Sequence, residues 1–152
     1  METLERILGE HPFFAGFAPD HLRIVTGWAR NHRFDAGQYL VREGDKADEF
    51  FLIRHGRVAL EIAPLGGAPM VFETVREGEI VGASWLVPPY RWMFDARALE
   101  MTRAIGIDAA CLRGKCDADH DLGYEMMQRF LPVLADRLQA TRLQILDVYG
   151  RR

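Results

Sequence analysis

The stretch FDAGQYLVREGDKADEFFLIRHGRVAL, residues 34–60, indicates the fold class of this chain. It contains short runs of strand-forming residues separated by glycines. Similar runs follow in MVFETVREGEIVG, residues 70–82, and in FDARALEMTRAIGID, residues 94–108. Short strands at this spacing predict an antiparallel β-roll, a double-stranded jelly roll, over residues 33–108. The turn glycines are Gly37, Gly44, Gly56, Gly66, Gly67 and Gly78.

Helical patterns lie on both sides of the predicted roll. Leu4, Ile7 and Leu8 recur at helical spacing. Residues 18–34, APDHLRIVTGWARNHRF, predict a second short helix, because Pro19-Asp20 resembles a helix start and apolar residues line one face. DAACLRGKC, residues 108–116, predicts a third. The chain is therefore predicted to be an α+β domain, a β-roll between short helices and a longer C-terminal one.

A long helix is predicted from about Asp119 to Tyr149. Apolar residues alternate along it in steps of three and four, which makes a heptad seam. The seam predicts either a homodimer interface or an amphipathic helix packed on its own roll. Pro132 predicts a kink or a break near residues 128–132, because proline removes one backbone hydrogen bond. The seam residues are Leu131, Leu134, Leu138, Thr141, Ile145 and Val148.

A chain of 152 residues is long enough for one hydrophobic core. We therefore divide it into two segments according to their expected roles. Residues 1–118 form the roll with its short helices, and residues 119–152 form the long helix, expected to pack on the roll and on a second chain. A net charge of −3 argues against non-specific nucleic-acid binding. With no signal peptide, no apolar run of about 20 residues and only two cysteines, we expect a cytoplasmic protein without a membrane segment.

This order of elements resembles the cyclic-nucleotide-binding domain of the catabolite-activator (Crp/Fnr) type regulators. Four stretches carry the resemblance: residues 34–60, GEI at 78–80, ARA at 96–98 and RLQAT at 137–141. GEI resembles the opening of the family's phosphate-binding cassette, and ARA its closing strand. RLQAT resembles the ligand-facing part of the dimerisation helix. The resemblance implies a ligand-sensing regulatory domain with cyclic AMP or cyclic GMP as its ligand and no other cofactor.

The resemblance also implies a set of ligand-binding residues. Glu79 would accept from the ribose hydroxyl, and its alternative role is a solvated turn carboxylate. A helical turn after GEI would present backbone amides to an anion. Thr141 would face the base, with Arg142 beside it. The implied ligand-binding residues of the cassette are Gly78, Glu79, Ile80, Gly82, Ala83, Ser84, Trp85, Arg91, Trp92 and Met93.

The cassette departs from the family pattern at its phosphate clamp. Counting back from ARA, the position of the family's arginine falls on Trp92, and Met93 stands at the position of its hydroxyl neighbour. Arg91 is one residue away, so it either binds phosphate or forms a surface ion pair. Trp85, Tyr90 and Trp92 form either an aromatic wall for a ligand or internal packing. The departures predict weak or altered nucleotide binding.

Other chemistry is not indicated. Cys111, Cys116 and His120 match no compact zinc spacing, so we expect ordinary thiols and no metal. No nucleophile elbow, P-loop or paired-carboxylate motif occurs, which predicts no catalytic residues and no enzyme.

Three hypotheses about the function remain. The first is a sensor of a small anionic ligand that acts on a protein partner. The second is a pseudo-receptor, a dimerising scaffold whose pocket is filled by its own side chains. The third is the sensor fragment of a transcription regulator. The family's DNA-binding helix-turn-helix has no counterpart in the sequence, so direct DNA binding is not expected.

Overall fold

Two four-stranded antiparallel sheets pack face to face, with helices before and after them, in a computed structural model that describes residues 3–150. Sheet A has the strand order β1-β8-β3-β6 and sheet B the order β2-β7-β4-β5. The strands are β1 (Ala29–Phe34), β2 (Tyr39–Val41), β3 (Glu49–His55), β4 (Arg57–Ile62), β5 (Met70–Arg76), β6 (Ile80–Val81), β7 (Asp95–Ala98) and β8 (Thr102–Asp108).

Four α-helices and two short 3₁₀ helices complete the domain. The predicted α+β class, with an antiparallel roll and a long C-terminal helix, is confirmed. Within residues 3–150 no helix is long and apolar enough to cross a bilayer. The α-helices are α1 (Leu4–Glu10), α2 (Pro19–Thr26), α3 (Ala109–Ala118) and α4 (His120–Gly150), and the 3₁₀ helices are Pro12–Phe14 and Ser84–Leu86.

The second predicted helix was too long. Helix α2 ends at Thr26, and residues 29–34 form β1 instead. The six residues of β1 pair with β8 along their whole length, from Ala29 opposite Ile107 to Phe34 opposite Thr102. This ladder satisfies backbone groups that a helix would otherwise have satisfied, so tertiary pairing overrides the local pattern.

Helix α4 does not break at Pro132, contrary to one of the two predicted outcomes. It runs for 31 residues with the proline inside it. The turns on both sides of Pro132 are anchored to the roll: Phe130 is buried in the core, and Arg137 donates to the Ile80 carbonyl oxygen at 2.9 Å. These contacts offset the loss of the backbone hydrogen bond that proline cannot donate.

The buried residue His11 fixes the first 3₁₀ turn to sheet A. Its Nδ1 accepts from the Phe13 amide at 3.2 Å, which leaves the proton on Nε2 to donate to the Ile53 carbonyl oxygen at 3.1 Å. Burial, with a smaller contribution from the charge of Arg54, lowers the pKa of His11 below its ordinary value of 6.5. The neutral ring is therefore the form that the fold stabilises.

We predict that the stabilisation supplied by His11 is lost in acid. Below the ordinary pKa of 6.5 the unfolded chain takes up a proton that the folded ring resists. The free energy of unfolding of the wild type, measured relative to His11→Gln by urea unfolding, should therefore shrink as the pH falls from about 7.5 to about 5. The matched control is His55→Gln, at the exposed end of β3. A difference between wild type and His11→Gln that does not change with pH would contradict the prediction.

Candidate functional site

The helical turn of the cassette follows Gly82, and β6 separates it from Gly78. Gly82 has a φ of +108°, which L side chains rarely adopt, and the 3₁₀ helix Ser84–Leu86 begins two residues later. The residue directly after this glycine is Ala83, which is buried and has no carboxylate. The helical turn expected after GEI, with the amides of Ala83, Ser84 and Trp85 at its start, is therefore present, and Gly82 rather than Gly78 directly precedes it.

Gly78 and Glu79 form the turn between β5 and β6. The Glu79 carboxylate accepts from the Arg76 amide at 2.9 Å, which closes the turn, and Gly78 takes a positive φ of +88° there. This contact matches the alternative role of Glu79 as a turn carboxylate. With Ile80, these residues line a cavity of about 240 Å³ that opens toward α4 and the first 3₁₀ turn.

Trp92 is held by backbone pairing with the β2–β3 loop. Its amide donates to the Asp45 carbonyl oxygen at 2.9 Å, and its carbonyl oxygen accepts from the Gly44 amide at 2.8 Å. Nearby, the Ala47 amide donates to the Tyr90 carbonyl oxygen at 2.8 Å. Because side chains alternate along an extended segment, this pairing directs Trp92 and its neighbour Arg91 to opposite sides.

The Trp92 indole fills the space beside Gly82. Only 4% of the residue is exposed, and a Cβ on Gly82 would overlap the six-membered part of the ring. Phe94 packs against the same indole with ring centroids 5.8 Å apart, and Phe72 packs on Phe94. The volume next to the cassette glycine is therefore occupied by the protein's own side chains.

Arg91 points away from the cassette turn. Its Nη1 donates to the Gly44 carbonyl oxygen at 3.1 Å, and the residue is exposed. The guanidinium is thus bonded to the β2–β3 loop rather than to the turn after Gly82. Arg91 was expected either to clamp a phosphate or to form a surface ion pair, and its observed acceptor is a backbone carbonyl.

Trp85 follows the second of the two alternatives, internal packing, and not that of an aromatic wall for a ligand. Its ring is completely buried, stacked on Phe50 with centroids 5.3 Å apart and packed edge-on against Phe130 at 5.4 Å. The apolar face of the 3₁₀ turn is drawn into the core because three large rings bury more apolar area there than a solvated pocket could. Trp85 is a core residue.

The remaining predicted site residues are dispersed. Ile80 is buried on β6, and Ser84 is half-buried at the start of the 3₁₀ helix. Met93 is largely exposed on the side away from Trp92. On α4, the exposed Thr141 hydroxyl donates to the Arg137 carbonyl oxygen at 2.9 Å, and Arg142 is exposed.

Two arginines that the sequence analysis did not assign hold the cassette to the helices. Arg113 of α3 donates to the Trp85 carbonyl oxygen at 2.7 Å and lies over the Tyr90 ring, 4.0 Å from its centroid. Arg137 of α4 donates to Ile80 and lies 3.0 Å from a Glu73 carboxylate oxygen. Burial raises the pKa of Glu73, and Arg137 opposes that rise. The spacing of Arg137, seven residues after buried Phe130, was the available signal for its roll-facing position.

The cysteines form no metal site in the part of the chain that the structure describes, where no three His, Cys, Asp or Glu residues are grouped to hold an ion. Cys111 is exposed. Cys116 is half-buried, and burial followed by the charges of Asp117 and Asp119 raises the pKa of its thiol to about 11. Cys116 is therefore a poor nucleophile at neutral pH.

Comparison with known proteins identifies the family. A family model described as the cyclic nucleotide-binding domain matches residues 31–119, more than half of the chain. The chain belongs to the cyclic nucleotide-binding domain family. This confirms the resemblance to a cyclic nucleotide-binding domain seen in the sequence.

Solved structures and one curated protein share parts of this domain. A putative cyclic nucleotide-binding protein from Geobacter metallireducens is 28% identical, with a TM-score of 0.77, over 91% of this chain and 99% of its own. The catabolite activator protein of Thermus thermophilus is 22% identical, with a TM-score of 0.70, over 91% of this chain and 63% of its own, and shows the same fold. The acetyltransferase Pat of Mycolicibacterium smegmatis is 37% identical over 70 residues, which is 46% of this chain and 21% of that protein.

The opposite orientations of Arg91 and Trp92 predict unequal effects on stability. Trp92→Ala should lower the free energy of unfolding by about 3–5 kcal/mol, because it empties a packed site. Arg91→Ala should change it by less than about 1 kcal/mol, because it removes one exposed hydrogen bond. Urea unfolding of both variants checks this. Equal losses, or a larger loss for Arg91→Ala, would contradict the assigned orientations.

Proposed function

We propose that this chain is a dimeric regulatory scaffold of the cyclic nucleotide-binding family whose cassette is closed by its own side chains. It would act through contacts between chains and with a protein partner rather than by catalysis. The observation that carries the proposal is the Trp92 indole packed on Gly82, in the volume where a ligand would approach the cassette backbone. In this function the domain does not require a cyclic nucleotide.

Two further features of the cassette support closure. Ala83 follows the cassette glycine, so no carboxylate stands there to accept from a ribose hydroxyl. Arg91 is bonded to Gly44, so no guanidinium of the segment faces the turn after Gly82. A cyclic phosphodiester bound there would therefore contact the Trp92 indole instead of a guanidinium group. A buried anion without a partner is strongly disfavoured.

Helix α4 supports the dimeric part of the proposal. Leu131, Leu134, Leu138, Ile145 and Val148 are exposed in the single chain, and they lie on one side of the helix. The adjoining side of the helix is bonded to the roll through Arg137 and through Gln144, which donates to the Phe72 carbonyl oxygen at 2.8 Å. The exposed stripe thus remains available for a second copy of the chain, which would bury it in an isologous interface.

Charging the stripe should separate the dimer. We predict that Leu138→Glu sediments as a monomer at concentrations where the wild type is a dimer, because the glutamate would be buried unpaired in the seam. The control is Leu143→Glu, an equally exposed leucine about 140° around the helix from Leu138 at 100° per residue. It should remain dimeric. A wild type that sediments as a monomer, or dissociation by both variants, would refute the seam as the interface.

Calorimetric titration with cyclic AMP and cyclic GMP at physiological salt tests the closed cassette. We expect no heat and no thermal stabilisation at millimolar nucleotide, because Trp92 occupies the ligand volume. The double variant Ala83→Glu/Trp92→Arg supplies the carboxylate and guanidinium of the family pattern, and it should gain measurable binding if it melts cooperatively. Arg91→Ala should behave as the wild type. Micromolar binding by the wild type would overturn the closed cassette whatever the double variant does.

A nucleotide sensor is the second candidate, and one observation favours it. The backbone N–H groups of Ala83, Ser84 and Trp85 donate to no backbone acceptor within the described residues. Amides at the start of a helical turn are suited to an anion. In this function a small anionic ligand, such as cyclic AMP or cyclic GMP, would displace Trp92 and shift the cassette against α4. The same titration separates the two functions.

A protein partner completes either function. The matching segment of the acetyltransferase Pat is a small part of a larger protein, so a domain of this kind can occur beside an enzymatic one. For this chain we propose a regulated partner rather than an activity of its own, and no cofactor beyond the cyclic nucleotide of the second candidate.

A further inference from the structure

Arginines from three adjacent strands of sheet A meet in a groove outside the cassette. Arg33 comes from β1, Arg103 from β8 and Arg54 from β3. They line a volume of about 370 Å³ together with Asn31, His32 and Ala104. The cassette lies elsewhere, at Gly82 and Trp92, and shares none of these residues.

The strand register forces the positive charges together. Arg33 stands directly opposite Arg103 in the antiparallel pair of β1 and β8. On the other side of β8, Arg54 lies at the irregularity of β3 between Ile53 and His55, where His55 is opposite Arg103. Like charges directly opposite each other destabilise a sheet. An arrangement that lowers stability in this way is typical of a site that holds a ligand of opposite charge.

The charges of this groove are poorly neutralised within the protein. Arg54 and Arg103 form no salt bridge in the described part of the chain, and Arg33 reaches only the exposed Asp35 at 3.3 Å. Three other strand arginines are paired with carboxylates: Arg30 with Glu49, Arg57 with Glu100 and Arg97 with Glu61. The whole chain carries a net charge of −3, so the cluster is not a consequence of a basic composition.

The field of the groove also reaches the interior. The charge of Arg54 contributes, after burial, to the lowered pKa of His11 on the neighbouring turn. Arg54 therefore lies close enough to this turn for its charge to act on the imidazole.

We propose that this groove binds a pyrophosphate group, either free or as part of a nucleoside di- or triphosphate. Guanidinium groups pair with phosphate oxygens through two parallel hydrogen bonds, which favours a phosphate over a point anion. Neighbouring strands are about 4.8 Å apart, so the three arginines extend over about 10 Å and suit two linked phosphates better than one. The asparagine at position 31 adds a neutral amide to the same wall.

Calorimetry of the full chain with sodium pyrophosphate, orthophosphate and ADP, at equal ionic strength, tests the site. Pyrophosphate should bind at least about tenfold more tightly than orthophosphate. Arg103→Gln and Arg54→Gln should each weaken pyrophosphate binding by about tenfold. Both variants should fold, because each relieves repulsion between like charges. The control Arg23→Gln, an exposed arginine paired with Asp20 on α2, should bind as the wild type does.

The titration with ADP distinguishes free pyrophosphate from a nucleotide as the source of the pyrophosphate group. Equal affinity for ADP and pyrophosphate indicates that the group alone is recognised, and tighter binding of ADP indicates a nucleotide. The proposal is overturned if millimolar pyrophosphate does not bind, or if Arg103→Gln and Arg54→Gln bind as tightly as Arg23→Gln. It is also overturned if a hexaglutamate peptide binds more tightly than pyrophosphate, because the groove would then be a docking surface for an acidic protein segment.

Discussion

The contact among Phe50, Trp85 and Phe130 joins the three parts of this domain. Phe50 belongs to sheet A, Trp85 to the cassette turn and Phe130 to the long helix, and the rings lie within 5.4 Å of one another by their centroids. All three are buried, so each depends on the others to exclude water. The cassette turn is thus built onto the hydrophobic core, and its position follows from that of α4.

Backbone hydrogen bonds to the β2–β3 loop then determine which side chain of the cassette is buried next to Gly82. Pairing of Gly44 and Asp45 with Trp92 places the indole inside and Arg91 outside. A shift by one residue would exchange them, because side chains alternate along the strand. This exchange is unfavourable because it would bury the Arg91 guanidinium beside Gly82 and expose the Trp92 indole to solvent. In the absence of a bound anion, burial of the apolar ring is the favoured arrangement.

The sequence allowed the fold to be predicted more fully than the site. Glycine-separated strand patterns and the seam of α4 are local signals, and both appear in the structure. The β1 strand was missed because its pairing with β8 joins residues far apart in the chain. The start of the cassette was placed at Gly78 because Gly-Glu occurs there; Gly78 and Gly82 both take a positive φ, and the 3₁₀ turn begins after Gly82. The opposite orientations of Arg91 and Trp92 depend on contacts with a loop that lies 47 residues earlier in the chain, and no local pattern indicates those contacts.

If the cassette is closed as proposed, a regulatory ligand must bind the domain at another site. Arg137 of α4 donates to the Ile80 carbonyl oxygen and Arg113 of α3 donates to the Trp85 carbonyl oxygen, so side-chain hydrogen bonds join both helices to the cassette. Arg54 of the arginine groove lies on β3, four residues from Phe50, or about 13 Å along the strand. An anion drawn to Arg54 would act on the strand that supports the central aromatic contact. Rigid elements of this kind transmit displacement to a helix interface without requiring any change in the cassette.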